Sequence, residues 1–337
     1  MIFGLVIILI LVLFLPFTVK KVEHNLEAFL FLMGIAAASI SGMMNWDLIR
    51  KALADPINIT LAVLIAGLLC KWAQGPLERS ILSLSKALTP RIFLALTVII
   101  LGLASSIITA IIAAIVLVII VNVLPLDRKS EIRFTILACF AIGLGAVLTP
   151  IGEPLSTITV SKLNEDFFYL FNLIGWEVII AVVAFAVISI FFVKPRKGSD
   201  GLDAKQTAES YKEIIIRSAK IYLFVMGLTF LGHGFEPLIE KYVLGLDPML
   251  LYWINMISAI LDNATLAAAE ISPAMDNEMI RAILLGLIIS GGMLIPGNIP
   301  NIIAAGKLNI TSKEWAAFGV PVGLIAMAVY FVALFLI

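Results

Sequence analysis

Polar residues set deep inside apolar stretches of membrane length constrain this sequence more than any other feature. The run Met249–Ile271 is apolar enough to enter a bilayer, yet its middle reads Ser258-Ala259-Ile260-Leu261-Asp262-Asn263-Ala264-Thr265. A carboxylate at that depth is costly and requires a partner or a function. Two other apolar runs are interrupted in a similar way. One carries Leu148-Thr149-Pro150-Ile151-Gly152-Glu153-Pro154-Leu155-Ser156-Thr157, the other Leu294-Ile295-Pro296-Gly297-Asn298-Ile299-Pro300-Asn301. Pro150, Pro154, Pro296 and Pro300 remove backbone donors, and Gly152 and Gly297 permit unusual torsions. Such segments predict a membrane protein with discontinuous helices.

Composition agrees. Of 337 residues, 61% are hydrophobic and 14% charged, against nearer half and a quarter in soluble domains. The formal net charge of zero gives no case for a nucleic-acid partner. Cys70 and Cys139 lie in apolar runs and suggest neither a disulfide framework nor a metal cluster. The first apolar run has no basic residue before it and no small-residue cleavage site, so a retained helix is expected.

Met1–Val19, His24–Met44 and Ile57–Lys71 read as spans. Between the second and third lies an expected loop, Asn45–Pro56, with Trp46 and Trp72 as interface anchors. In Pro76–Leu88, Leu77, Ile81, Leu84 and Leu88 share one face and Arg79 and Lys86 supply the other. That pattern predicts an amphipathic helix in the interface. Arg91–Leu124 is too long for one crossing and has a polar middle at Ser105, Ser106 and Thr109. A re-entrant hairpin is expected there, with a single tilted helix as the alternative. Ser130–Leu163, broken at Thr149–Pro154, and Trp176–Val193 follow. Lys194–Lys220 is polar and reads as a cytoplasmic linker containing a helix.

The pattern then recurs: a span at Lys220–Leu231, a short amphipathic segment at Glu236–Leu244, the polar-tipped run Met249–Ile271, a broken span at Glu278–Leu308 and a last span at Glu314–Ile337. Letters recur too. Ser105–Thr109 lies over Ser258–Asp262, Leu148-Thr149-Pro150 over Leu294-Ile295-Pro296, and Lys162-Leu163-Asn164 over Lys307-Leu308-Asn309. The expected fold is an all-α integral membrane protein with about eight transmembrane helices and two re-entrant hairpins. Residues 1–56 form an N-terminal scaffold, 57–193 the first repeat, 194–219 the linker and 220–337 the second repeat. Three crossings per repeat make the second inverted relative to the first, a transporter architecture. With the N-terminus outside and the linker cytoplasmic, 18 of the 23 Lys and Arg fall inside, and 11 against 5 without the linker. That is the bias expected of a multi-pass plasma-membrane protein.

Asp262 is the first candidate ion and proton residue. Burial favours its protonated form and a bound cation its ionised form, so one carboxyl can carry H⁺ or Na⁺ in turn. Its bland alternative is the N-cap of the hairpin's returning limb. Glu153 is the second candidate. Pro154 after it fits the first turn of a helix, which makes Glu153 a cap or a salt-bridge partner otherwise. Hard cations take oxygen donors. Asn263, Thr265, Thr149, Ser156, Thr157, Ser105, Ser106, Thr109, Asn298 and Asn301 either supply them or serve the broken backbone and helix contacts. Asp262, Asn263 and Glu153 form the expected Na⁺ set. Glu270 and Asp276 are expected to be solvated at the hairpin's outer end, and Glu27 to be interfacial. His233, in Gly232-His233-Gly234, reads as a turn residue at the outer surface.

At Leu261-Asp262-Asn263, Leu148–Glu153 and Gly291-Gly292-Met293-Leu294-Ile295-Pro296-Gly297-Asn298 the sequence resembles the ion transporter superfamily. It is most similar there to NhaD-type sodium/proton antiporters and to an uncharacterised family of predicted cation transporters. The resemblance runs over roughly residues 57–337. It implies two hairpins and two broken helices in a moving transport domain, a scaffold that commonly dimerises, and elevator-like alternating access. Dicarboxylate carriers of the superfamily use Ser-Asn-Thr motifs at hairpin tips and breaks. Here the first tip has no Asn, and the breaks carry Glu153 and Asp262. Two carboxylates repel an anion unless cations neutralise them.

The expected function is therefore Na⁺/H⁺ antiport by a homodimer in the lipid bilayer, with no cofactor beyond the transported ions. A cation-coupled carrier of a small carboxylate or oxyanion is the alternative. An enzyme is not expected, because there is no His-Glu-x-x-His motif and no nucleophile with a convincing base partner.

Overall fold

The computed structural model describes residues 1–23, 25–193, 211–242, 246–261, 263–271 and 275–336, and these are α-helical with no β-strand among them. Four helices are long and apolar enough to cross a membrane: Pro90–Ile108, Tyr169–Phe192, the Ile214–Leu238 part of a longer helix, and Ser312–Phe335. Shorter apolar helices cover Ile2–Pro16, Glu27–Ser41 and Ala110–Val123. Their outward faces are apolar. Trp176, Ile180 and Phe191 of one span and Ile325 and Val329 of another are more than half exposed, as a lipid-facing surface requires.

The N-terminal group consists of α1 (Ile2–Thr18), the single turn α2 (Lys20–Glu23), α3 (Leu26–Ser41), α4 (Trp46–Ala87) and, from the second half, α10 (Tyr211–Tyr242). α10 packs on α3 and α4, and α1 on α3. Gly34 and Gly227 let α3 and α10 approach closely: a Cβ on Gly34 would stand 2.5 Å from the Gly227 carbonyl oxygen.

Two sequence expectations fail here. The loop at Asn45–Pro56 and the separate interfacial helix at Pro76–Leu88 are replaced by one continuous 42-residue helix, α4. The helix passes through Pro56 and Pro76. Apolar surroundings tolerate interior prolines where neighbouring groups re-satisfy the freed carbonyls. At about 1.5 Å per residue, α4 is roughly twice as long as a bilayer core is thick. The side chains that define the expected amphipathic faces, Leu77, Arg79, Ile81, Leu84 and Lys86, lie outside the described residues. In the same way Glu236–Leu244 is no separate helix, because α10 runs through Pro237 to Tyr242. α10 also begins at Tyr211, inside the stretch read as linker; residues 194–210 lie outside the described residues.

The remaining helices fall into two sets. The first is α5 (Pro90–Ile108), α6 (Ala110–Val123), α7 (Arg128–Ala146), α8 (Pro154–Leu163) and α9 (Tyr169–Phe192). The second is α11 (Pro248–Ile254) with a 3-10 turn at Asn255–Ala259, then α12 (Asn263–Glu270), α13 (Asn277–Gly291), α14 (Ile299–Leu308) and α15 (Ser312–Phe335). α5, α7 and α9 pack together, and α13 packs on the 3-10 turn, α11 and α15. The sets also cross: α6 packs on α14, and α12 on α8.

Local chemistry sets the boundaries. Asp127 Oδ1 accepts from the Ser130 N–H at 2.8 Å and starts α7; Asp276 Oδ1 accepts from the Met279 N–H at 2.8 Å and starts α13. Asn164 and Asn309 adopt left-handed torsions, φ 56° and 51°, after α8 and α14. In both, the next N–H turns back into the helix, Glu165 to the Val160 carbonyl and Ile310 to the Ala305 carbonyl. Thr311 and Glu314 form a capping box at α15.

Candidate functional site

The apolar run Arg91–Leu124 breaks where its polar residues fall. α5 ends at Ile108, Thr109 takes φ 75° and ψ 151°, and α6 starts at Ala110. Positive φ at a β-branched residue is unfavourable and persists only when its surroundings impose it. Those surroundings are the first helix break. The Ala110 N–H donates to the Gly152 carbonyl at 3.0 Å, and the Thr149 hydroxyl donates to the Ser106 carbonyl. Ser105 Oγ donates to the Ile142 carbonyl of α7 at 2.9 Å, and Ser106 Oγ to the Leu103 carbonyl at 2.7 Å. Gly152 is required by space, since a Cβ there would lie 1.9 Å from the Ala146 carbonyl oxygen. Ser156 Oγ, on the first turn of α8, donates to that same Ala146 carbonyl at 3.3 Å.

The second break repeats two of these bonds. A Cβ on Gly297 would stand 2.5 Å from the Gly291 carbonyl oxygen. Asn301 Nδ2 donates to that Gly291 carbonyl at 2.9 Å and to the Leu294 carbonyl at 2.9 Å. Ser258 Oγ donates to the Leu287 carbonyl of α13 at 3.0 Å, as Ser105 does to Ile142 of α7. Each break thus satisfies carbonyls freed by loss of helix, which apolar surroundings would otherwise leave unpaired.

These bonds set the register between the two breaks. Gly152 falls on Gly297, Thr149 on Leu294 and Ser156 on Asn301. The proline-guided alignment of Leu148-Thr149-Pro150 with Leu294-Ile295-Pro296 is therefore one residue out. Ser105 and Ser258 make like bonds, and the two Lys-Leu-Asn runs end in like left-handed asparagines.

Where the α5–α6 junction meets both breaks lies a cavity of about 350 Å³. Thr109 and Ala110 line it from that junction, Gly152, Glu153 and Thr157 from the first break, and Asn298 and Ile299 from the second. Glu153 and Asn298 occupy matching places. Each precedes a half-helix whose first turn closes on its carbonyl, Thr157 N–H to Glu153 and Ile302 N–H to Asn298. Both are 6% exposed. The Asn298 amide sits against α7, where Gly143 leaves room for it: a Cβ at Gly143 would stand 2.5 Å from Asn298 Nδ2. Two half-helix N-termini therefore open on one cavity, and each carries roughly half a positive charge.

Of the residues singled out in the sequence, Thr109, Glu153, Thr157 and Asn298 come together on this cavity. Thr157 Oγ1 also donates to the Pro150 carbonyl at 2.6 Å. Ser105, Ser106, Thr149, Ser156 and Asn301 instead spend hydroxyl or amide hydrogens on backbone carbonyls and build the breaks. Asn263 begins α12 and is buried, with its Nδ2 unpartnered among the described residues. Asp262 and the Thr265 side chain lie outside the described residues. No group of three or more His, Cys, Asp or Glu side chains suited to a metal ion occurs among the described residues.

Asp276 is exposed and caps α13, as a solvated residue should. Glu27 pairs with Lys220 across α3 and α10 at 3.3 Å. His233 is not in a turn: it lies within α10, where its Nδ1 meets Glu236 Oε2 at 3.0 Å. α10 runs unbroken through Gly232 and Gly234, and close packing on α3 needs Gly234 small, since a Cβ there would meet Ala37 at 2.7 Å. Glu270, expected in solvent, is 1% exposed. Sequence position alone put it at the hairpin's end, whereas α12 packs on α8, α10, α13 and the 3-10 turn.

A family model described as "Protein of unknown function (DUF1646)" matches residues 2–337, and the chain belongs to that family. A comparison with curated proteins finds no match.

Proposed function

We propose that this chain is a secondary transporter that exchanges Na⁺ for H⁺ by alternating access, with Glu153 at its ion site. The observation that carries the reading is the cavity on which Thr109, Glu153, Thr157 and Asn298 converge. Buried carboxylates in membrane-crossing segments mark ion and proton paths. Thr109, Thr157 and Asn298 add oxygen donors of the type a hard cation takes. Asp262, the residue before α12 in the sequence, stays in the proposal as the second ion residue on its sequence context alone.

The architecture belongs to the same proposal. The two helix sets are repeats, inverted relative to each other, and the matched bonds at Ser105 and Ser258, Ser156 and Asn301, and Asn164 and Asn309 support that relation. Crossing of α6 onto α14 and of α12 onto α8 is the exchange of contacts that a two-fold relation between repeats produces. The Lys and Arg bias orients the N-terminus outside in the plasma membrane. The homodimer implied by the superfamily resemblance completes the proposal.

A second reading has its own support. Two half-helix N-termini facing one cavity suit an anion, and about 350 Å³ holds more than a bare ion. Glu153 offsets most of that positive potential, so an anion would enter only with cations. Proteoliposomes separate the two readings. Na⁺-driven proton movement without any added carboxylate, lost in Asp262→Asn and Glu153→Gln, is the expected result. Movement that requires a small organic acid would replace exchange by cation-coupled anion transport.

A further inference from the structure

Glu270, at the end of α12, is 1% exposed, and Asn255, which opens the 3-10 turn, is fully buried. Glu270 Oε2 and both polar atoms of the Asn255 side chain lack hydrogen-bond partners among the described residues. The Asn255 amide is nevertheless the side chain that acts on the Glu270 carboxyl. The two groups lie side by side without closing a bond of normal geometry in this conformation.

No described cation compensates the carboxyl. α12 packs against α8, α10, α13 and the 3-10 turn. The described ionisable side chains that those elements carry are Lys162 on α8, Tyr211, Lys212, Lys220, Tyr222, His233, Glu236 and Lys241 on α10, and Glu278 and Arg281 on α13. None of them acts on Glu270. Lys220, His233 and Arg281 are engaged elsewhere, with Glu27, Glu236 and Glu177.

The first half shows that the fold does not need this pair. Ser105 and Ser258 make the same bond, which places Gly102 opposite Asn255 and Leu117 opposite Glu270 in the two hairpins. The carbonyls confirm the register, because Ser290 Oγ donates to the Asn255 carbonyl at 2.8 Å just where Gly145 closes on the Gly102 carbonyl. Leu117 is fully buried, as Glu270 is nearly so. One hairpin therefore packs with glycine and leucine where the other buries an amide and a carboxyl.

We propose that Glu270, paired with Asn255, is a buried proton-binding site separate from the cavity at Glu153. Protonation satisfies every group left open. The acid O–H donates to Asn255 Oδ1, and Asn255 Nδ2 donates to the acid's carbonyl oxygen. Loss of the proton leaves a desolvated carboxylate with one amide donor and no cation among the described side chains, which is costly. Such a site deepens the exchange reading by giving H⁺ a carrier distinct from the cation's, yet it stands on burial and pairing alone.

Infrared titration of the purified protein in lipid tests it, following the carbonyl band of a protonated carboxylic acid. The wild type and Glu153→Gln should both show the Glu270 band, and Glu270→Gln, which has the shape of the neutral acid, should lose it. Asn255→Leu should keep the band but displace it, because the hydrogen bonds on the acid change. An unchanged band in Glu270→Gln overturns the proposal. If that variant does not fold, a band unmoved by Asn255→Leu overturns it instead. Absence of Na⁺-driven proton flux in the wild type would count against the exchange reading and leave the band untouched.

Discussion

The two helix breaks solve one backbone problem with different side chains. At the first, a serine, Ser156, answers the carbonyl freed before the break; at the second, Asn301 answers it and the Leu294 carbonyl as well. The first places a carboxyl, Glu153, ahead of its half-helix, and the second an amide, Asn298. The hairpins differ in the same manner, glycine and leucine against Asn255 and Glu270. The common parts are those that satisfy backbone groups, and the parts that differ carry charge or hydrogen-bonding capacity beyond that need. Matched positions therefore separate scaffold from chemistry within one molecule.

The sharpest way to break the comparison is through its glycines. Gly152→Ala should remove folded protein altogether, because its Cβ would lie 1.9 Å from a backbone oxygen that the break holds fixed. Gly297→Ala meets its oxygen at 2.5 Å and should destabilise less, by about 1–3 kcal/mol. Thermal unfolding of detergent-purified variants reads both, and a tolerated Gly152→Ala beside a damaging Gly297→Ala would reverse the order.

Next in size is the carboxyl itself. Glu153→Gln should lower transport at least about tenfold, the equivalent of about 1.4 kcal/mol of lost binding to the ion. The exchange Glu153→Asn with Asn298→Glu moves the carboxyl across the cavity to the matching cap. It should recover part of the flux if the two caps share one ion. No recovery in a well-folded double variant would tie function to the first break alone.

Smaller and equal effects are expected from the shared scaffold. Ser105→Ala and Ser258→Ala each delete one buried bond to a carbonyl of the neighbouring broken helix and should each cost about 0.5–1.5 kcal/mol. Asn164→Ala and Asn309→Ala place an alanine in left-handed torsions, at about 1 kcal/mol each, while glycine at either site should be nearly neutral. Unequal values within either pair, measured by the same unfolding assay, would show that the matched geometry does not carry matched energy.

Much of this division was legible in the sequence. The two Lys-Leu-Asn runs become two helix ends with left-handed asparagines, and Ser105 and Ser258 become matched bonds, because short polar residues in apolar runs have few other partners. Reading prolines as the landmarks of the breaks put the alignment one residue out. The fixed points are Gly152 and Gly297, where backbones nearly touch, and no local pattern reports a tertiary approach. Pro56 and Pro76 misled in the same way, since a proline ends a helix in water more surely than in apolar surroundings. Glu270 was misplaced because α12 packs on α8 and α10 as well as on its neighbours in the chain, and no local pattern reports those contacts.

The most direct test of the account is binding of radioactive Na⁺ to the purified protein at fixed pH, in the wild type and in Glu153→Gln. Saturable binding that acid displaces in the wild type, and that is absent from a folded Glu153→Gln, is the predicted result. Undiminished Na⁺ binding in Glu153→Gln would contradict it and remove the cavity carboxyl from the ion's path.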